Sequence, residues 1–97
     1  MGFQWDPDKG EANEAKHGIS FQQAAQIFRG TILKAPDNRR DYGERRFIAL
    51  GAYDGEVLRV VFTERDGEIR LISAWKASRH DREKYQTLQR NPVWQRR

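Results

Sequence analysis

The chain has 97 residues, 37% hydrophobic and 33% charged, with no cysteine and a net charge of +4. That length suits one domain, residues 1–97, around a single modest core, and three Trp, three Tyr and five Phe supply large burial per residue. The lack of cysteine excludes a disulfide frame, a thiolate zinc site and a cysteine nucleophile, and no apolar run approaches the roughly 20 residues that span a bilayer.

The opening "MGFQWDPDKG" lacks the apolar centre of a secretory signal, and Asp6 stands where a myristoylation motif needs Ser or Thr. A cytoplasmic chain is expected. Within "WDPDKGEANEAKHG", Asp6 can cap a helix and Pro7 suits its first position. The helix should run to about His17, with Gly18 as its stop, Ala12, Ala15 and Ile19 inward, and Trp5 stapling its start. A second helix begins at Ser20, which has capping-box spacing to Gln23. Phe21, Ala24, Ala25 and Phe28 follow at helical intervals, and Gly30 ends it. "TILKA" reads as a short strand and "PDNRRDYGE" as a polar loop.

Three alternating runs come next: 45–53, 56–64 and 68–75. Asp54-Gly55 and Asp66-Gly67 join them, and Asp-Gly between alternating runs is a strong hairpin signal because both turn positions favour positive φ. The result is an antiparallel three-stranded meander. Two-residue turns set the register, pairing Phe47 with Phe62, Ile48 with Val61, Phe62 with Leu71 and Val61 with Ile72. One face then carries Phe47, Ala49, Leu58, Val60, Phe62, Leu71 and Trp75, with Arg45, Glu64 and Ser73 among them. This is the expected core face, against which the two N-terminal helices pack. The other face has Ile48, Val61 and Ile72 at its centre. Arg46, Thr63 and Arg70 lie at one end of it, and Arg59, Ala74 and Lys76 at the other. Clustered cations repel unless an anion neutralises them, although their aliphatic stems can also simply cover the apolar patch.

"ISAWKASRHDREKY" passes from strand into a C-terminal helix that starts at Ser78. That helix is strongly cationic and offers only Tyr85 and Leu88 as obvious apolar anchors, and "QRNPVWQRR" reads as a tail over 89–97. Residues 70–97 hold eight Lys or Arg against Asp81 and Glu83, so the basic charge is concentrated there. Such a balance points to an anionic partner: RNA, DNA or an acidic protein.

A concave basic surface rimmed by an aromatic suits single-stranded RNA, whose phosphates meet cations and whose bases stack. RNA cleavage without metal needs a base for the 2′-hydroxyl, cations for the charged transition state, and an acid for the departing 5′-oxygen. The candidates are Glu64 or His80 as base, Arg46, Arg70, Lys76 and Arg79 as phosphate clamps, and Tyr85 or His80 as acid. Arg59, Arg65 and Arg82 add RNA-binding charge. Each has a plainer reading beside it: Glu64 can pair with its neighbour Arg45, His80 can be a solvated first-turn residue, and His17 can favour the end of its helix. Metal binding finds little support, because neither Asp6 and Asp8 nor the two histidines form a ligand motif. No cofactor is expected.

"WDPDK" with Asn13, "KHGISF", "RRFIALG" and "FTERDGEIRLISAWKASRHDREKY" together resemble the BrnT toxins of bacterial type II toxin–antitoxin modules. The resemblance runs from about Phe3 to Tyr85. It implies an α+β, RelE-like ribonuclease fold and a toxin that degrades RNA or blocks translation. It also implies a BrnA-like antitoxin with a ribbon-helix-helix half, through which alone the pair would meet its DNA operator. Motif positions carried over are His17, Thr63, Glu64, Arg65, Arg70, Ser73, Lys76, Arg79 and Tyr85. Trp75 departs from the pattern, standing where the family more often has a basic residue, which removes one cation from the neighbourhood of the site. The expectation is therefore a metal-independent endoribonuclease toxin acting on RNA, either bare or on the ribosome. The alternatives are an RNA- or ribosome-binding module without turnover, and an interaction protein for an acidic antitoxin segment.

Overall fold

The computed structural model describes residues 2–90; from residue 91 onward the C-terminal tail lies outside the described residues. Five strands form one sheet in the order β1-β5-β4-β3-β2. They are β1 (Phe3–Gln4), β2 (Leu33–Pro36), β3 (Phe47–Tyr53), β4 (Glu56–Arg65) and β5 (Glu68–Lys76). Helices α1 (Pro7–His17) and α2 (Phe21–Ala25), the latter continued by a 3-10 turn over Gln26–Arg29, precede β2, and α3 (Arg79–Arg90) follows β5. The fold is α+β. Among the described residues no helix is long and apolar enough to cross a membrane.

Local signals account for most element boundaries. The Asp6 side chain accepts from the Asp8 N–H at the start of α1, and Gly18 closes it in the left-handed region. Ser20 and Gln23 form a reciprocal capping box on α2. Both hairpins turn on Asp-Gly pairs with positive φ at each position, 51° and 80° for Asp54-Gly55 and 55° and 78° for Asp66-Gly67, the geometry that matches strand twist. Strand β1, which the sequence shows only as a short apolar start, pairs in parallel with Ile69 and Arg70 of β5.

The core lies between one sheet face and α1, α2 and the 3-10 turn, around Phe21, Ile27, Leu58, Val60, Phe62 and Leu71. Fully burying each large side chain contributes about 1.5–3 kcal/mol. Gly51 of β3 makes the approach of the turn possible, since a Cβ there would sit 2.6 Å from that of Ile27. The inward side of α1 differs from expectation. Ala12 and Ala15 are exposed, and the buried residue is Asn13. Its amide donates to the carbonyls of Ile19 at 2.9 Å and Ala74 at 2.8 Å, and its oxygen accepts the Ala74 N–H at 3.1 Å. One side chain thus satisfies both backbone groups that β5 turns outward at Ala74.

The expected register holds through Phe62 with Leu71 and fails at the next step. Val61 pairs with Ser73 rather than Ile72, with an irregularity between Val61 and Phe62. Ile72 is the extra residue of a bulge, so the remainder of β5 reverses its facing. Ala74 joins the core instead of the open face. Trp75 pairs with Arg59, and Lys76 pairs with core-facing Leu58. The sequence register puts Trp75 in the core and Lys76 with Arg59 on the other face. The bulge exchanges the two.

Helix α3 is anchored by the two apolar residues the sequence offers, Tyr85 and Leu88. It covers the second sheet face through a cluster of Leu50, Ala77 and Tyr85, with Leu33 and Val57 against them. The Tyr85 hydroxyl donates to the Thr31 carbonyl at 2.7 Å. Leu88 is buried as well.

Candidate nucleic-acid interface

At the β1 end of the sheet, four cationic side chains border one cleft of about 200 Å³. Arg70 comes from β5, Arg65 from β4, Arg46 from the residue before β3, and Lys9 from the first turn of α1; Asp6, Glu44 and Thr63 complete the polar lining. Four cations against two carboxylates leave the cleft positive.

The three arginines are each held in a specific way. Arg70 lies opposite Thr63 on the α3-bearing face, and its Nη1 donates to Gln4 Oε1 at 3.0 Å. The short parallel β1 therefore steers it. The Thr63 hydroxyl is spent on the Arg45 carbonyl at 2.6 Å, tying β4 to the segment that leads through Arg46 into β3. Glu44 bridges two guanidiniums, Oε2 meeting Arg46 Nε at 3.1 Å and Oε1 meeting Arg65 Nη2 at 3.4 Å. The Arg46 guanidinium also lies 4.2 Å from the ring centre of Tyr42, a cation–π contact.

The loop that presents Glu44 and Arg46 is closed at its base, where the Asp37 N–H donates to the Arg46 carbonyl at 2.8 Å. The buried Asp37 carboxylate accepts from Arg39 Nε at 2.7 Å and Nη2 at 2.8 Å. Chiefly through that guanidinium, its pKa falls from 3.8 to about 2.

The other residues singled out from sequence lie elsewhere. Glu64 is exposed and pairs with Lys34 of β2 at 3.4 Å, not with Arg45. His80 lines a separate groove of about 610 Å³ between α3 and β2, with Leu33, Lys34, Ala35, Glu83, Lys84 and Thr87. Lys76 meets Glu56 at 3.3 Å and lines a small pocket with Gly18, Ile19 and Gln23, at the α1–α2 junction. Arg79 pairs with Glu83 one turn on, and Arg82 donates to the Ala77 carbonyl at 3.2 Å. Tyr85 is buried. Arg59 Nη1 lies 2.6 Å from Asp81 Oδ2, and its guanidinium is 5.9 Å from the Trp75 ring. The ring centre of His17 is 5.7 Å from that of Trp75.

Of the sequence candidates, then, the cleft brings together Arg46, Arg65 and Arg70. Reading the sequence missed Asp6, Lys9 and Glu44 as members of it. "DPDK" is visible as a helix start, but its place beside Arg70 depends on a two-residue strand with no periodicity to detect. Among the described residues no three His, Cys, Asp or Glu side chains gather as metal donors.

No curated protein matches the chain. A family model described as the ribonuclease toxin BrnT of type II toxin–antitoxin systems matches residues 5–81, a span that takes in α1, α2, strands β2 to β5 and the start of α3. Every residue lining the cleft falls within it. The chain belongs to the BrnT family of ribonuclease toxins of type II toxin–antitoxin systems.

Proposed function

We propose that this chain is a metal-independent endoribonuclease of RelE-like fold, held inactive by a BrnA-like antitoxin, and that the cleft around Arg70 binds the scissile phosphate. The observation that carries the reading is the convergence of Lys9, Arg46, Arg65 and Arg70 on one small polar cleft. Such cations neutralise the charge that gathers on phosphorus in the transition state.

In the proposed step the ribose 2′-hydroxyl gives up its proton and its oxygen bonds to the adjacent phosphorus. The bond from phosphorus to the 5′-oxygen breaks, and that oxygen takes a proton. The products are a 2′,3′-cyclic phosphate and a free 5′-hydroxyl, with no metal and no outside reactant. Asp6 is engaged in capping α1, so the proposal gives the proton-acceptor role to Glu44. Glu64 and His80, considered for that role from sequence, stand on the β2 side of the molecule. Arg59 and Arg79 carry paired charge at the α3 side, where Arg82 donates to the Ala77 carbonyl, and Lys76 is paired at the α1–α2 junction. They serve flanking RNA or the antitoxin rather than the scissile phosphate.

Two observations favour a second reading, RNA binding without turnover. Glu44 is committed to two guanidiniums, and Tyr85, the candidate acid, is buried with its hydroxyl on a backbone carbonyl. The deciding experiment incubates purified, antitoxin-free protein with labelled RNA in EDTA, beside Arg70→Ala. The proposal expects fragments ending in 2′,3′-cyclic phosphate, reduced about 10²-fold or more in the variant. Intact RNA that the protein nonetheless binds would select the second reading, and equal cleavage by the variant would move the site elsewhere.

A further inference from the structure

The bulge at Ile72 turns Trp75 onto the face that carries Arg59 and Arg70. By register, Thr63 with Arg70, Val61 with Ser73 and Arg59 with Trp75 succeed one another along the same face of the sheet. Trp75 is only half-buried there. At about 3.3 Å per residue, it lies roughly 15 Å along β5 from Arg70, a distance that one short single strand can cover.

The two ends of this face differ in chemistry. At the Arg70 end four cations border a cleft. At the Trp75 end Arg59 is neutralised by Asp81 at 2.6 Å, and the bulge has turned Lys76 to the opposite face. What remains is aromatic: the Trp75 ring, with His17 at 5.7 Å and a tilt of 38°, and the flat Arg59 guanidinium at 5.9 Å. A phosphate gains little at such a place, whereas a nucleobase gains a stacking surface.

We propose that Trp75 is a stacking platform for an unpaired base of single-stranded RNA whose backbone is held in the Arg70 cleft. The assignment rests on the RNA-cleaving reading above and extends it to a base-binding subsite. Because every base has a stacking face, the subsite selects unpaired over paired RNA and tolerates any sequence. The competing account is structural, with Trp75 shielding the edge of β5 against His17.

The test uses the full chain and a short single-stranded 2′-O-methyl RNA, which lacks the attacking hydroxyl and stays uncut. Its partner is the same backbone carrying abasic residues. Wild type should bind the base-bearing strand roughly tenfold more tightly. Trp75→Leu should bind both strands alike with an unchanged salt dependence, since the phosphate contacts persist, and Trp75→Phe should restore most of the preference. The base-bearing strand should also quench a component of the wild-type tryptophan emission that Trp75→Phe lacks, a readout that does not require the Leu variant to fold. A folded Trp75→Leu that keeps the full preference overturns the platform and leaves the RNA reading standing, as does a wild type that binds both strands equally. Wild type that binds neither strand overturns both.

Discussion

Arg59 of β4 and Asp81 of α3 meet through a single Nη1–Oδ2 contact of 2.6 Å, their side chains only 22% and 12% exposed. The contact fastens the last helix to the sheet face at the end away from the cationic cleft, next to the Tyr85 and Leu50 cluster. Removing one partner strands the other in a poorly hydrated place. Asp81→Ala should therefore destabilise the protein by about 1.5–3 kcal/mol, read as a lower midpoint in urea. Replacing both partners with Met and Leu should recover part of the loss. Unaltered stability in the single variant would show that the pair contributes nothing.

Glu44→Gln separates binding from chemistry. It removes an anion from between Arg46 and Arg65, so RNA affinity at low salt should rise several-fold. If Glu44 accepts the 2′-hydroxyl proton, the cleavage rate should nonetheless fall by about 10²–10⁴. Tighter binding with an unchanged rate would remove Glu44 from the proton transfer and leave it as a competitor of the phosphate.

Asp37 gives stability a pH dependence of known sign. Its carboxyl titrates lower in the folded protein, at about 2 against 3.8, because the Arg39 side chain holds the charged form. The stabilisation is therefore fully present above pH 3.8 and is lost as pH falls through about 2. Thermal unfolding of Asp37→Asn should lie below wild type at neutral pH, and the two should converge on acidification across that window. A constant gap between them would contradict the assignment.

Asn13→Ala should lower stability by about 1–3 kcal/mol, because Ala74 then loses partners for both its N–H and its carbonyl inside the core. Asn13→Asp should be no better at neutral pH. A carboxylate can accept from Ala74 N–H but cannot donate to the carbonyls of Ile19 and Ala74. Urea midpoints near pH 7 compare the two directly, and an Asp variant as stable as wild type would refute the donor role.

Much of the fold is legible in the sequence because its signals are local. Asp54-Gly55 and Asp66-Gly67 specify two turns whose backbone angles follow from residue type, and Ser20 with Gln23 specifies a helix start. What escapes sequence reading is set by distant partners. The strand pattern around Ile72 contains an inserted residue that alternation alone cannot reveal, so Trp75 and Lys76 were expected on each other's faces. The helical pattern points inward at Ala12 and Ala15 rather than Asn13, because a buried amide makes sense only once the edge of β5 is beside it. The cleft was half legible: Arg46, Thr63 and Arg70 follow from hairpin register, but Lys9 and Glu44 reach it from a helix start and a loop. Tyr85 was visible as an apolar anchor, yet its partner at Thr31 lies 54 residues away.

Phe3 pairs with Ile69, and Gln4 steers Arg70, across a separation of 66 residues. Contacts this distant form late, after the local hairpins have closed the intervening chain. On a translating ribosome, Lys9 emerges early and waits until β5 clears the exit tunnel before the proposed phosphate site can assemble. Synthesis and arming of the toxin are thereby separated in time.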